Sequence, residues 1–102
     1  WDVATYVYHQ AADIGIVGYD VLKELNLDVL ELLDMKLGIC KICVGGIKDN
    51  NSYKNKTELK VATKLQGIAK EYFSKKGIPA EIIKLNGSIE LAPLIGLSDV
   101  IV

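Results

Sequence analysis

Arginine is absent from this chain, histidine occurs once, at His9, and cysteine only twice. Each shortage removes a kind of chemistry. Without guanidinium forks, any phosphate held by these 102 residues must be met by the ammonium groups of its 12 lysines, by backbone N–H groups or by helix N-termini. A formal net charge of −1 and a pI near 5.8 supply no positive field, which argues against nucleic acid or an anionic membrane surface as partner. No apolar run approaches a membrane span, and no signal-peptide pattern is present among these residues. The single histidine has no neighbour in sequence that would orient it, so it makes a poor general base.

Cys40 and Cys43 have the C-x-x-C spacing of a redox pair or half a zinc site. The surrounding Gly38-Ile39-Cys40-Lys41-Ile42-Cys43-Val44 alternates like a strand, which would send the two sulfurs to opposite faces. Redox pairs of this spacing sit at a helix N-terminus, and zinc needs further ligands. The expectation is two reduced, buried, structural thiols of a cytoplasmic protein.

Half of the residues are apolar, enough for one small packed domain. Periodicity predicts a short helix over residues 2–10 with Asp2 as its N-cap, and a buried strand over 13–17. Gly18 then turns the chain into a helix over 20–25. Residues 29–33 and 39–47 read as β-like, and the Asn/Lys-rich 48–58 as a polar loop. A strand over 59–63 leads to an amphipathic helix over 68–76, with Ile68, Ala69, Tyr72 and Phe73 on one face. Gly77 stands where a left-handed C-terminal cap belongs, and Pro79 bars continuation. The strand over 80–85 runs into Asn86-Gly87, Ser88 is placed to cap a short helix, and Glu90 falls in that helix's first turn. A last strand starts at Asp99. Beginning at Trp1 and stopping inside an apolar strand, the sequence reads as an internal excerpt of a longer protein.

Strands alternating with helices imply an α/β architecture with mostly parallel sheets and flanking helices, and in such sheets ligands gather at the carboxyl ends of the strands. That rule selects Gly18, Tyr19 and Asp20; Thr63 and Lys64; and Asn86, Gly87, Ser88 and Glu90. Asp13 and Asp99 begin their strands at the opposite edge and read as structural caps. They also mark a weak repeat: Gln10-Ala11-Ala12-Asp13-Ile14 and Gly96-Leu97-Ser98-Asp99-Val100 each join a helix end to an apolar strand. By that alignment Gln10 occupies a positive-φ helix terminus, as Gly96 would.

Three stretches carry a resemblance: Ala-Ala-Asp-Ile-Gly-Ile-Val-Gly-Tyr-Asp-Val-Leu (11–22), Val-Ala-Thr-Lys (61–64) and Leu-Asn-Gly-Ser-Ile-Glu-Leu-Ala-Pro-Leu-Ile-Gly-Leu-Ser-Asp-Val-Ile-Val (85–102). In order and spacing they resemble the catalytic subunit of ATP phosphoribosyltransferase across nearly the whole chain. The resemblance implies a two-lobed fold similar to type II periplasmic binding proteins, incomplete here. Residues 1–43 would be part of the first lobe with crossover strands, and 44–102 the donor-side second lobe, cut before its phosphate loop. It implies the first step of histidine biosynthesis, in which N1 of ATP attacks C1 of phosphoribosyl pyrophosphate and pyrophosphate leaves with Mg²⁺. It also implies a homo-oligomer or a complex with a regulatory subunit.

Carried over by motif, Glu90 and the turn Asn86-Gly87-Ser88 would lie near the ribose and phosphates of the donor. The competing structural roles are dipole complementation for Glu90 and simple capping for Ser88. Thr63 and Lys64 are either phosphate contacts or a strand end, and Tyr19 and Asp20 are placed on the nucleotide side by position alone. No catalytic side chain and no protein metal ligand is expected. The departures are Gln10 where the family commonly has Gly, and the missing acidic and Thr-Gly loop after the last strand, so the excerpt alone is expected to be inactive. The alternatives from other classes are a non-catalytic solute-binding lobe of the same topology and a small redox or metal protein built on the cysteines.

Overall fold

The computed structural model describes residues 1–48 and 57–102. The chain separates into two compact units, Trp1–Cys40 and Lys41–Val102.

The second unit contains a four-stranded mixed sheet. Its strands are β1 (Gly45–Gly46), β2 (Leu59–Thr63), β3 (Ala80–Lys84) and β4 (Val100–Ile101), in the spatial order β1-β4-β2-β3. Strand β2 pairs in parallel with β3 and with β4, whereas β1 runs antiparallel to β4. Helix α3 (Gln66–Lys76) makes the crossover from β2 to β3 and packs on the sheet. Val61, Val100, Leu59 and Phe73 form the core, with Val61 and Val100 wholly inaccessible. Burying each such side chain contributes about 1.5–3 kcal/mol, and deleting the Phe73 ring would cost about 3–5 kcal/mol.

Helix α3 follows its sequence pattern with one difference. Ala69 and Phe73 are buried as expected, but Tyr72 is half exposed and stands edge-on to the Phe73 ring. The end of α3 is a left-handed cap at Gly77 (φ 69°): Gly77 N–H reaches the Ser74 carbonyl at 3.1 Å and Ile78 N–H the Phe73 carbonyl at 3.0 Å. Only glycine adopts that φ without strain, and the two bonds satisfy carbonyls the helix would otherwise leave open.

The first unit holds α1 (Asp2–Tyr8) and α2 (Tyr19–Leu25). Asp2 lies inside the first turn of α1 rather than capping it, since Trp1 takes the cap position, and the helix stops at Tyr8. Residues 13–17 do not form the expected buried strand; Ile14 and Ile16 are 77% and 76% exposed. The same holds for 29–33, and of 39–47 only Gly45–Gly46 becomes strand. The physical reason is that a strand exists only beside a second strand that meets its N–H and C=O groups, and among the described residues 13–17, 29–33 and 39–44 pair with no strand. Cys40 and Cys43 are consequently exposed free thiols, not buried ones. Most of the expected polar loop, 49–56, lies outside the described residues.

The weak repeat is real in the backbone. After α1, the N–H groups of His9, Gln10, Ala11 and Ala12 bond the carbonyls of Thr5, Val7, Tyr6 and Tyr6. After Leu91, those of Ile95, Gly96, Leu97 and Ser98 bond Leu91, Pro93, Ala92 and Ala92 at the same sequence separations. Gln10 has φ 62° and Gly96 φ 77°, as the alignment requires.

Candidate functional site

Parallel pairing places Thr63 opposite Lys84, and Leu85 N–H continues the ladder to the Thr63 carbonyl at 3.0 Å. Thr63, Lys64 and the turn from Asn86 therefore share the carboxyl edge of the sheet, as sequence reasoning expected. Val102 joins them, its N–H on the Ala62 carbonyl at 3.2 Å.

At that edge Thr63 is fully buried and its hydroxyl is committed. Oγ1 donates to the Val102 carbonyl at 3.0 Å and accepts Leu65 N–H at 2.9 Å. It ties the ends of β2 and β4 to the start of α3. Asn86, Gly87 and Ser88 are exposed. Ser88 does not cap through its side chain. It sits in the left-handed region (φ 52°), and its carbonyl, not its hydroxyl, takes the Leu91 N–H at 3.1 Å. The expected helix is a single 3-10 turn, Ile89–Leu91, with Glu90 in its first turn.

Glu90 is not gathered with the edge residues. It borders an open concavity of about 320 Å³ on the β1–β4 side of the sheet, together with Gly45, Gly46, Lys48, Leu94 and Ile101. The walls are largely apolar, with one carboxylate and one ammonium group. A β-carbon on Gly45 would lie 3.5 Å from the Ile101 side chain, an ordinary contact, so that glycine's bare face is turned to β4. A carboxylate there can accept sugar hydroxyls, and an ammonium group can meet a phosphate. Lys48 and the glycine pair were missed by sequence reasoning. Their signal was a Gly-Gly step followed closely by a cation at the head of the polar stretch, which reads as an ordinary strand end.

Tyr19 and Asp20 belong to the first unit, in the first turn of α2. Tyr19 is 67% exposed, whereas the Asp20 carboxylate accepts the Val21 N–H at 2.9 Å and so completes its own helix start. Among the described residues, no group of three His, Cys, Asp or Glu could hold a metal ion, and no helix is long and apolar enough to cross a membrane.

Comparison with known proteins supplies the rest. A family model described as HisG: ATP phosphoribosyltransferase matches residues 1–102. The ATP phosphoribosyltransferase of a Nitratiruptor species is 59% identical over 101 residues, covering 99% of this chain and 49% of that protein. The one from Sulfurimonas denitrificans is likewise 59% identical over 101 residues, with 48% of its length covered. The solved ATP phosphoribosyl transferase (HisG:HisZ) complex from Thermotoga maritima superposes with a TM-score of 0.74 at 34% identity, over 98% of this chain and 49% of that one. The chain thus spans about half the length of the curated relatives it matches.

Proposed function

Because this chain belongs to the ATP phosphoribosyltransferase family, we propose that its full-length protein performs the first step of histidine biosynthesis. The phosphoribosyl group passes from phosphoribosyl pyrophosphate to N1 of ATP. The observation that carries this is the match of the family over all of residues 1–102, including the strand, turn and 3-10 segment that bring Glu90 to the concavity.

In that reaction the adenine N1 lone pair forms the bond to ribose C1, and the C1–O bond breaks with its electron pair leaving on pyrophosphate. N1 is already nucleophilic, so the protein's work is to orient two polyanions and stabilise the departing charge. Glu90 accepts hydrogen bonds from ribose hydroxyls, and Lys48 provides positive charge beside the phosphates. The exposed turn Asn86-Gly87-Ser88 and Lys64 serve the donor at the strand ends, while Thr63 holds that edge in shape. Tyr19 and Asp20 lie on the nucleotide side. Mg²⁺ enters as part of the substrate, as the counterion of the pyrophosphate oxygens.

In the same reading, the two units belong to lobes of a type II periplasmic-binding-protein-like fold. The protein works in the cytoplasm, as a homo-oligomer or with a regulatory subunit; the solved relative is a HisG:HisZ complex. The test is formation of phosphoribosyl-ATP, followed by absorbance, from ATP, phosphoribosyl pyrophosphate and Mg²⁺. The full-length protein should form it and the 102-residue chain should not. A full-length protein that binds a small solute reversibly but makes no product would be a solute-binding protein of the same topology instead.

A further inference from the structure

Of the asparagines in this chain only Asn86 is followed by glycine; Asn26 precedes Leu27, Asn50 precedes Asn51, Asn51 precedes Ser52 and Asn55 precedes Lys56. The step falls just past the carboxyl end of β3, where the chain bends at Asn86 and Gly87 and both residues are exposed. Among the described residues neither takes part in a hydrogen bond, so the Asn86 carboxamide and the Gly87 N–H are both uncommitted. The flanks are anchored. Leu85 N–H bonds the Thr63 carbonyl at 3.0 Å, and the Ser88 carbonyl accepts Leu91 N–H at 3.1 Å. Between those fixed points, a β-carbon built on Gly87 would meet no atom within 4 Å, so the dipeptide has open space around it.

We infer that Asn86 is a site of spontaneous deamidation. The Gly87 backbone nitrogen attacks Cγ of Asn86; an N–Cγ bond forms, the Cγ–Nδ2 bond breaks, and Nδ2 leaves as ammonia with the proton that Gly87 gives up. The product is a cyclic imide, which water opens. Addition of water at Cγ leaves an aspartate at position 86, and addition at the main-chain carbonyl carbon leaves an isoaspartate. Glycine favours the closure because it carries no side chain to block the attacking nitrogen and reaches backbone angles that other residues do not. Either product replaces a neutral amide by a carboxylate, and isoaspartate also adds a methylene to the main chain between β3 and the 3-10 turn that carries Glu90. The effect on function rests on the proposed place of this turn beside the donor: a new negative charge there repels phosphate, so the modified protein binds phosphoribosyl pyrophosphate more weakly.

The experiment ages the full-length protein in mildly alkaline buffer and follows its peptides by mass spectrometry, with electron-transfer fragmentation to tell isoaspartate from aspartate. The mass gain of an amide-to-acid exchange should appear at Asn86 about tenfold or more faster than at Asn26, whose successor Leu27 is bulky. Gly87 lies outside the left-handed region and has room for a β-carbon, so Gly87→Ala should slow the gain by about tenfold or more at an unchanged melting temperature. Equal rates at Asn86 and Asn26, or a Gly87→Ala protein that ages like its parent, would overturn the inference. Donor affinity is read separately, by titrating phosphoribosyl pyrophosphate into the unaged Asn86→Asp protein, whose Kd should be about fivefold or more above the parent's. Deamidation at Asn86 with an unchanged Kd would uphold the modification and take the turn out of the donor site, so the two readings fail separately.

Discussion

Asp99 and Lys60 hold one another at two points, carboxylate to N–H and N–H to carbonyl, across 39 residues of sequence. This clip stands at the amino end of β4 and β2. The Thr63 hydroxyl, bonded to the Val102 carbonyl, closes the opposite end. Between them the parallel pair is only two residue pairs long, so its ends contribute much of what keeps it in register.

Asp99→Ala should therefore lower the stability of the full-length protein by about 1 kcal/mol, the net worth of one hydrogen bond. Asp99→Asn should lose less, and neither should change the affinity for phosphoribosyl pyrophosphate. Denaturant unfolding alongside donor binding checks both halves. A fully folded Asp99→Ala protein that has lost activity would place the site at the other edge of the sheet.

Gln10 and Gly96 occupy equivalent left-handed positions, yet only one is glycine. A side chain at such a φ costs about 1 kcal/mol, partly offset by the greater freedom glycine has in the unfolded chain. Gln10→Gly should raise the thermal midpoint and Gly96→Ala should lower it. A β-carbon at Gly96 meets no atom within 4 Å, so a loss there reports backbone strain and not a clash. A fall in midpoint for Gln10→Gly would refute the equivalence.

Ser98 is 6% exposed, and its hydroxyl has no hydrogen-bond partner among the described residues. Its counterpart in the repeat is Ala12. Ser98→Ala removes a buried polar group that gains nothing from folding and should stabilise by about 1 kcal/mol. A loss of that size in urea unfolding would mean that the hydroxyl is satisfied in the full-length protein.

Glu90 and Lys48 are exposed residues bordering the same concavity, whereas Thr63 is buried and bonded on both sides. If the full-length protein has the proposed activity, Glu90→Ala and Lys48→Ala in it should each lower kcat/KM by about tenfold or more, equivalent to 1.4 kcal/mol, at an unchanged melting temperature. Thr63→Val should do the reverse, costing about 1–3 kcal/mol of stability through its two lost bonds. Steady-state kinetics paired with thermal unfolding separates the two patterns. Silent Glu90 and Lys48 variants would remove the concavity from the donor site.

What could be read from residues alone was what short-range physics settles. The helix expected over 68–76 and its Gly77 cap, the helix beginning near Asp20, and the strands expected over 59–63 and 80–85 depend on φ preferences and on contacts within a few residues; the left-handed Gln10, which φ preference alone disfavours, was legible only through its alignment with Gly96. The structural role of Asp99 was legible too, because a carboxylate just before a strand has few other uses. Three things were decided only in tertiary structure. Apolar alternation at 13–17, 29–33 and 39–44 does not make strands, since pairing needs a second chain segment at the right edge. Cys40 and Cys43, expected inside, are exposed for the same reason. Lys48 and Glu90 meet at one concavity because β1 folds back antiparallel onto β4, a pairing between segments more than fifty residues apart that no local pattern encodes. Local preference chooses the conformation of each segment, and long-range hydrogen bonding and burial choose which segments become strands and which side chains share a site.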